Sequence, residues 1–138
     1  MSARDAFHNA VKVALEKERW TITADPLKLQ WGDVELYVDL AADRLVAADR
    51  ADEKIAVEIK SFLGQSEIYE FHGALGQFIN YRTILAQQER DRVLYLAVPV
   101  DTYDSFFTLP FTQTVVQQNQ LKLIVYNPEK QELVLWQS

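Results

Sequence analysis

Lys54-Ile55-Ala56-Val57-Glu58-Ile59-Lys60-Ser61, followed shortly by the run from Glu67 to Gln88, is the stretch on which the fold turns. Alternation puts Ile55, Val57 and Ile59 on one face of a strand and Ala56, Glu58 and Lys60 on the other. Upstream, Val34 to Leu40 alternates in the same way, with Val34, Leu36, Val38 and Leu40 opposite Glu35, Tyr37 and Asp39. Leu45 to Ala48 reads as a short strand between them, and three strands with tight connections predict an antiparallel meander. Downstream, Ile68, Phe71, Leu75, Phe78 and Leu85 recur at helical spacing and predict one long helix over 67–88. Gly73 and Gly76 lie inside it at about 1 kcal/mol each relative to Ala, which suggests a close approach of helix to sheet. Val93 to Val98, ending at Pro99, is apolar throughout, as in a buried strand reached by a crossover and paired in parallel.

The flanks are simpler. Phe7, Val11, Ala14 and Leu15 predict a helix over Ala3 to Glu18, capped by Ser2, with Asp5 in the first turn where a negative charge suits the helix dipole. Trp20 to Thr23 and Leu27 to Trp31 read as short strands around the Asp25-Pro26 turn signal. Asp101 to Gln118 reads as short helical pieces, and Leu121 to Tyr126 pairs with Glu132 to Trp136 as a hairpin. The expected class is α/β, as a single domain over 1–138.

The chain has no cysteine, which excludes disulfides and thiolate metal sites and favours a cytoplasmic protein. No apolar run approaches the roughly 20 residues needed to span a bilayer, and the N-terminus lacks the apolar core of a signal peptide. No membrane is therefore expected as a partner. Net charge is −6, and Lys12, Lys17, Arg19, Lys28, Arg44, Lys54, Lys60, Arg82 and Lys122 are scattered along the chain. Non-specific DNA affinity comes mostly from neutralising phosphates, so the isolated chain should bind DNA weakly.

Glu58 and Lys60 lie on one strand face, roughly 7 Å apart at Cα. If Asp39 sits on a neighbouring strand, two carboxylates and the Ile59 carbonyl can converge on a hard cation such as Mg²⁺ or Mn²⁺. Lys60 beside that cation could orient or deprotonate a water and offset charge on a phosphorane. The plainer reading of this pattern is a solvated strand face. Gln77 and Tyr81 lie one turn apart beside the apolar stripe. His8 and His72 are the only histidines, and a satisfied imidazole explains each more simply than a general base does. Asp5 could lend a carboxylate to the metal, although its dipole role explains it equally well, and Ser61 can bond locally. Phe106, Phe107, Leu109 and Phe111 read as core first and as a partner-binding patch second.

Arg4-Asp5-Ala6-Phe7-His8, Trp20-Thr21-Ile22-Thr23-Ala24-Asp25-Pro26, Tyr37-Val38-Asp39-Leu40 and Ile55 to Phe62 resemble the XisH family of fdxN element excision controlling factors, small cyanobacterial proteins. Ala74-Leu75-Gly76-Gln77-Phe78 and Val93 to Pro99 extend the likeness over essentially the whole chain. The resemblance implies a restriction-endonuclease-like αβββαβ core with a C-terminal hairpin, and it places Asp39, Glu58 and Lys60 on the PD-(D/E)XK positions. Val38 stands where the motif has proline. In related nucleases a glutamine on the following helix, here Gln77, orients the lysine or the substrate. The family further implies programmed excision of a DNA element beside a site-specific recombinase and a small partner, XisI. The expectation is thus a Mg²⁺- or Mn²⁺-dependent nuclease-like protein whose basic surface comes from a partner or a homo-oligomer. The alternatives are a non-catalytic regulatory protein on the same fold and a defence nuclease restrained by its partner.

Overall fold

The computed structural model describes residues 2–45 and 52–138. Helix α1 (Ala3–Lys17) starts at the expected cap, where Ser2 Oγ accepts the Asp5 N–H at 3.1 Å. Strands β1 (Thr21–Ala24) and β2 (Leu27–Trp31) follow, the latter pairing with β3 (Val34–Val38) as a separate two-stranded antiparallel sheet. Strands β4 (Leu40–Arg44) and β5 (Glu53–Ile59) then enter the main sheet. Helix α2 (Glu67–Gln88) has the predicted ends, with Ser66 Oγ accepting the Tyr69 N–H and Glu67 and Glu70 in its first turn. Strand β6 (Arg92–Pro99) leads to α3 (Val100–Thr102), a π-helical turn over Tyr103–Phe107 and α4 (Pro110–Gln118). Strands β7 (Leu123–Asn127) and β8 (Glu132–Gln137) close the chain as a hairpin.

Among the described residues the main sheet has six strands in the order β1-β4-β5-β6-β7-β8. β1, β4 and β5 pair antiparallel, β5, β6 and β7 pair in parallel, and β8 returns antiparallel. This is a mixed α/β protein. No helix among the described residues is long and apolar enough to cross a membrane.

Both faces of the sheet are covered. On one, Val11 and Leu15 of α1 pack over Leu40, Ile55, Val57, Ala97, Ile124 and Tyr126. On the other, Phe71, Ala74, Phe78, Tyr81 and Leu85 of α2 pack over Ala56, Leu96, Val98, Leu123 and Val125. Removing each large apolar side chain from water is worth about 1.5–3 kcal/mol. The face of β5 carrying Ala56 and Glu58 is therefore interior rather than solvated, and Glu58 is 7% exposed.

Several expectations change. The single strand Val34 to Leu40 is two strands broken at Asp39. Val38 joins the core beneath α2, whereas Leu40 joins the core beneath α1. Leu45 belongs to no strand, and the rest of the predicted Leu45–Ala48 strand lies outside the described residues. The predicted meander is replaced by a β4–β5 pairing in the register Leu40↔Val57 and Ala42↔Ile55. Gly73 and Gly76 do not serve a close approach, since a Cβ at either position would meet nothing within 4 Å. In the helical stripe Ile68 is exposed, while Ala74, Tyr81 and Ile84 are buried. The aromatic cluster divides, with Phe106 and Phe107 in the core and Leu109 and Phe111 exposed. The basic residues are less scattered than the sequence suggests: Arg82, Arg90, Arg92 and Lys122 line one cavity of 180 Å³ where β6 begins.

The edge of the small sheet is sealed by one side chain. The Gln88 amide, at the end of α2, accepts the Gln30 N–H at 3.0 Å and donates to the Lys28 carbonyl at 3.0 Å. It occupies the place where a further strand would pair with β2.

Candidate active site at the end of the sheet

The break at Asp39 builds the site. Antiparallel register carries Leu40↔Val57 on to Asp39 opposite Glu58, where the ladder gives way to side-chain bonds. The Asp39 N–H donates to Glu58 Oε1 at 3.2 Å, and the Ile59 N–H donates to Asp39 Oδ2 at 2.7 Å. Each carboxylate is thus fixed by the backbone of the other's strand. Each keeps one oxygen, Asp39 Oδ1 and Glu58 Oε2, outside those bonds. Lys60 Nζ lies 3.7 Å from Glu58 Oε2, an ion pair too long for a hydrogen bond. The Lys60 backbone is held on two sides: its N–H donates to the Ala97 carbonyl at 3.0 Å, and its carbonyl accepts the Tyr126 hydroxyl at 3.3 Å. Two residues on, Phe62 has φ 53°, in the left-handed region that costs a bulky residue about 1–3 kcal/mol. The edge-to-face contact of its ring with Phe107 at 5.6 Å anchors that turn.

Electrostatically the pair is short of positive charge. Burial, and then the Asp39 charge, push the Glu58 carboxyl up to about 8, with Lys60 opposing only in part. The Tyr81 hydroxyl is pushed up to about 12 by burial and by the charges of Glu58 and Asp39. Tyr126 is raised in the same way, by burial first and Asp39 second. A buried carboxyl that holds a proton near neutrality beside a second carboxylate fits a divalent cation. No group of three or more His, Cys, Asp or Glu positioned to hold a metal occurs among the described residues. A cation here would therefore rest on Asp39 and Glu58, completed by backbone oxygen and solvent.

In front of the pair lies a cleft of 400 Å³. Asp39, Ile59, Lys60 and Ser61 form its floor, α2 contributes Glu70 and Gln77, and α1 contributes Arg4, Phe7 and His8. The structure thus gathers Asp39, Lys60 and Gln77 around the cleft, while Glu58 is bonded to the Asp39 N–H and paired with Lys60 but is not among the lining residues. Asp5 is not among the lining residues and serves at the start of α1. His72 borders an adjoining cavity with Tyr69 and Gly73. Sequence reasoning weighed His8 but missed Arg4 and Phe7, the rest of the α1 wall. Arg4 and His8 are one helical turn apart, a spacing that places them on one face, and that was the available signal. It also missed Glu70, whose Oε2 accepts the Gly64 N–H at 3.0 Å.

The fold and site together define a mixed α/β protein with a backbone-locked acid pair and a lysine at the end of its sheet. The chain belongs to the XisH family: the family model for XisH protein matches residues 1–134. A comparison with curated proteins found no match. Among solved structures, the chain is similar to an XisH family protein from Nostoc punctiforme, with 49% identity over 97% of this chain and 100% of that one and a TM-score of 0.89. It is also similar to an fdxN element excision controlling factor protein from Anabaena variabilis, with 51% identity over 96% and 98% of the two chains and a TM-score of 0.86.

Proposed function

We propose that this protein acts in controlling the excision of a DNA element and that it does so as a restriction-endonuclease-like, PD-(D/E)XK-type phosphodiester hydrolase. Kinship with an excision controlling factor supports the first part. One observation carries the second: Asp39 and Glu58 converge, Glu58 held by the Asp39 N–H and Asp39 by the Ile59 N–H, with Lys60 Nζ 3.7 Å from Glu58. Asp39 and Glu58 would hold Mg²⁺ or Mn²⁺, which when bound would polarise the phosphate and lower the proton affinity of a water. Lys60 orients that water toward phosphorus and offsets charge gathering on the phosphate oxygens. Gln77, on the α2 wall, holds Lys60 or the phosphate in line, and Arg4 faces the phosphate from α1.

A second reading, a regulatory protein without chemistry, draws support from the net charge of −6. The basic cavity at the start of β6 lies at the opposite end of these strands from Lys60, so the cleft gains little attraction for DNA from it. A small partner of the XisI type, or a second copy of the chain, would supply the missing basic surface. The test compares wild type with Lys60→Ala on plasmid and branched DNA, with Mg²⁺ or Mn²⁺, with and without that partner. Metal-dependent nicking by wild type with the partner present, and none by Lys60→Ala, is the expected result. Absence of nicking under every condition would favour the regulatory reading.

A further inference from the structure

His8 stands on the α1 wall of the cleft that Asp39 and Lys60 floor, and its side chain is held from behind. Its Nε2 lies 2.8 Å from Asp25 Oδ1, and Lys12 Nζ lies 2.8 Å from Asp25 Oδ2. Burial raises the Asp25 proton affinity, but the Lys12 and His8 bonds outweigh it and keep the carboxylate ionised. An ionised carboxylate only accepts hydrogen bonds, so His8 Nε2 is the donor and Nδ1 is the nitrogen that exchanges a proton. The same turn of α1 is coupled to Lys60. Phe7 packs edge-on against Tyr126 with ring centroids 6.3 Å apart, and the Tyr126 hydroxyl holds the Lys60 carbonyl. A carboxylate-oriented imidazole from α1 and a lysine from the end of β5 line the same 400 Å³ cleft, so an acid and a water-orienting group can flank one bond there.

We propose that His8, oriented by Asp25, is the general acid that protonates the leaving oxygen when the phosphodiester is cut; this rests on the nuclease reading above. The oxygen of water forms the new bond to phosphorus, and the bond from phosphorus to the leaving oxygen breaks with its electron pair. That oxygen takes the proton from His8 Nδ1, and the proton lost by the water passes to solvent. His8 then regains a proton from solvent. Arg4, one turn away on α1, carries no ion pair among the described residues and faces the non-bridging oxygens.

The experiment uses the full chain, with its partner if cleavage requires one, in Mg²⁺ or Mn²⁺. Substrates are an ordinary oligonucleotide duplex and the same duplex with sulfur in place of the bridging 3′ or 5′ oxygen. A thiolate leaves without being protonated, so only the ordinary substrate needs the acid. His8→Gln keeps a donor for Asp25 and so preserves the fold. It is expected to lose about 10²–10³-fold in kcat on the ordinary duplex and to cut the sulfur substrate within about tenfold of wild type. Nitrogen NMR of the two imidazoles, at His8 and His72, gives a readout independent of turnover. His8 should carry its fixed proton on Nε2, the nitrogen that faces Asp25. An equal loss on both substrates, or a fixed proton on Nδ1, would overturn the acid role while leaving the nuclease reading intact. A wild type that cuts neither substrate would overturn both.

Discussion

Two ionic clusters sit at opposite ends of the same three strands, and they are built to opposite rules. Where β6 begins, the Arg92 side chain is 7% exposed and bonded throughout: to Asp43 at 2.8 Å, to Glu89 at 3.2 Å, and to the carbonyls of Ala42 at 3.4 Å and Ile55 at 3.1 Å. One cation there meets two carboxylates and two backbone acceptors, so nothing remains to bind. Where β5 ends, Glu58 Oε2 meets the Lys60 ammonium only at 3.7 Å, and Asp39 Oδ1 stays outside the backbone bonds. The first cluster closes its valences and ties β4, β5 and β6 together. The second holds its ammonium beyond hydrogen-bond distance and leaves Asp39 Oδ1 outside the backbone bonds, so an entering cation has something to gain. The contrast separates an ion pair that holds the fold from one that, on the proposed reading, is open to a ligand.

The largest effect expected from this contrast is on pH dependence. The folded chain keeps the Glu58 proton up to about pH 8, whereas the unfolded chain loses it near the ordinary value of 4.5. Between those values the folded state binds more protons, so stability falls as pH rises and levels off above about 8. At about 1.4 kcal/mol per unit the loss is on the order of 4 kcal/mol. Urea unfolding at pH 5 and pH 8 measures it, and Glu58→Gln should flatten the profile and be the more stable protein at pH 8. Equal wild-type stability at both pH values would remove the distinction between the two ends.

Next in size is Arg92→Met. Losing the cation strands Asp43 and Glu89, and the cost should be about 3 kcal/mol. That is the lower end for a buried pair, because both carboxylates are part-exposed and can rehydrate. Lys60→Met should cost far less, since it relieves one ion pair at 3.7 Å; a cost equal to that of Arg92→Met would break the comparison. Smaller again is metal stabilisation. Mg²⁺ or Mn²⁺ at a hundred times its dissociation constant should add about 2.7 kcal/mol, read as a rise in Tm, in wild type but not in Glu58→Gln or Asp39→Asn. The smallest effect lies on α2, where Gly76→Ala enters open space. It should raise stability by about 1 kcal/mol.

The parts of the fold legible in the sequence were those decided by local period. Helix α2 has the predicted ends because apolar spacing and polar flanks agree there, and β6 is the buried parallel strand its unbroken apolar run required. The break at Asp39 was illegible because Val34 to Leu40 alternates without interruption. Alternation says which residues share a face, not which partner strand pairs with them. The acid pair and Lys60 were legible as a motif, yet the interior setting of Glu58 was not, because Lys60 at the strand end made that face look solvated. The His8–Asp25 contact spans a turn whose geometry no periodicity encodes. The gathering of Arg82, Arg90, Arg92 and Lys122 likewise follows from where α2 ends and β6 and β7 begin, a tertiary fact.

The Gln88 amide on the edge of β2 has a consequence for self-association. An open strand edge is a template on which another chain can add a strand, and β2 and β3 carry exposed Trp31, Val34 and Tyr37 that would make such addition favourable. A glutamine amide satisfies one donor and one acceptor of that edge with no backbone of its own to extend. Pairing therefore stops at β2, and growth into a longer cross-chain sheet is blocked at that edge by the last residue of a helix.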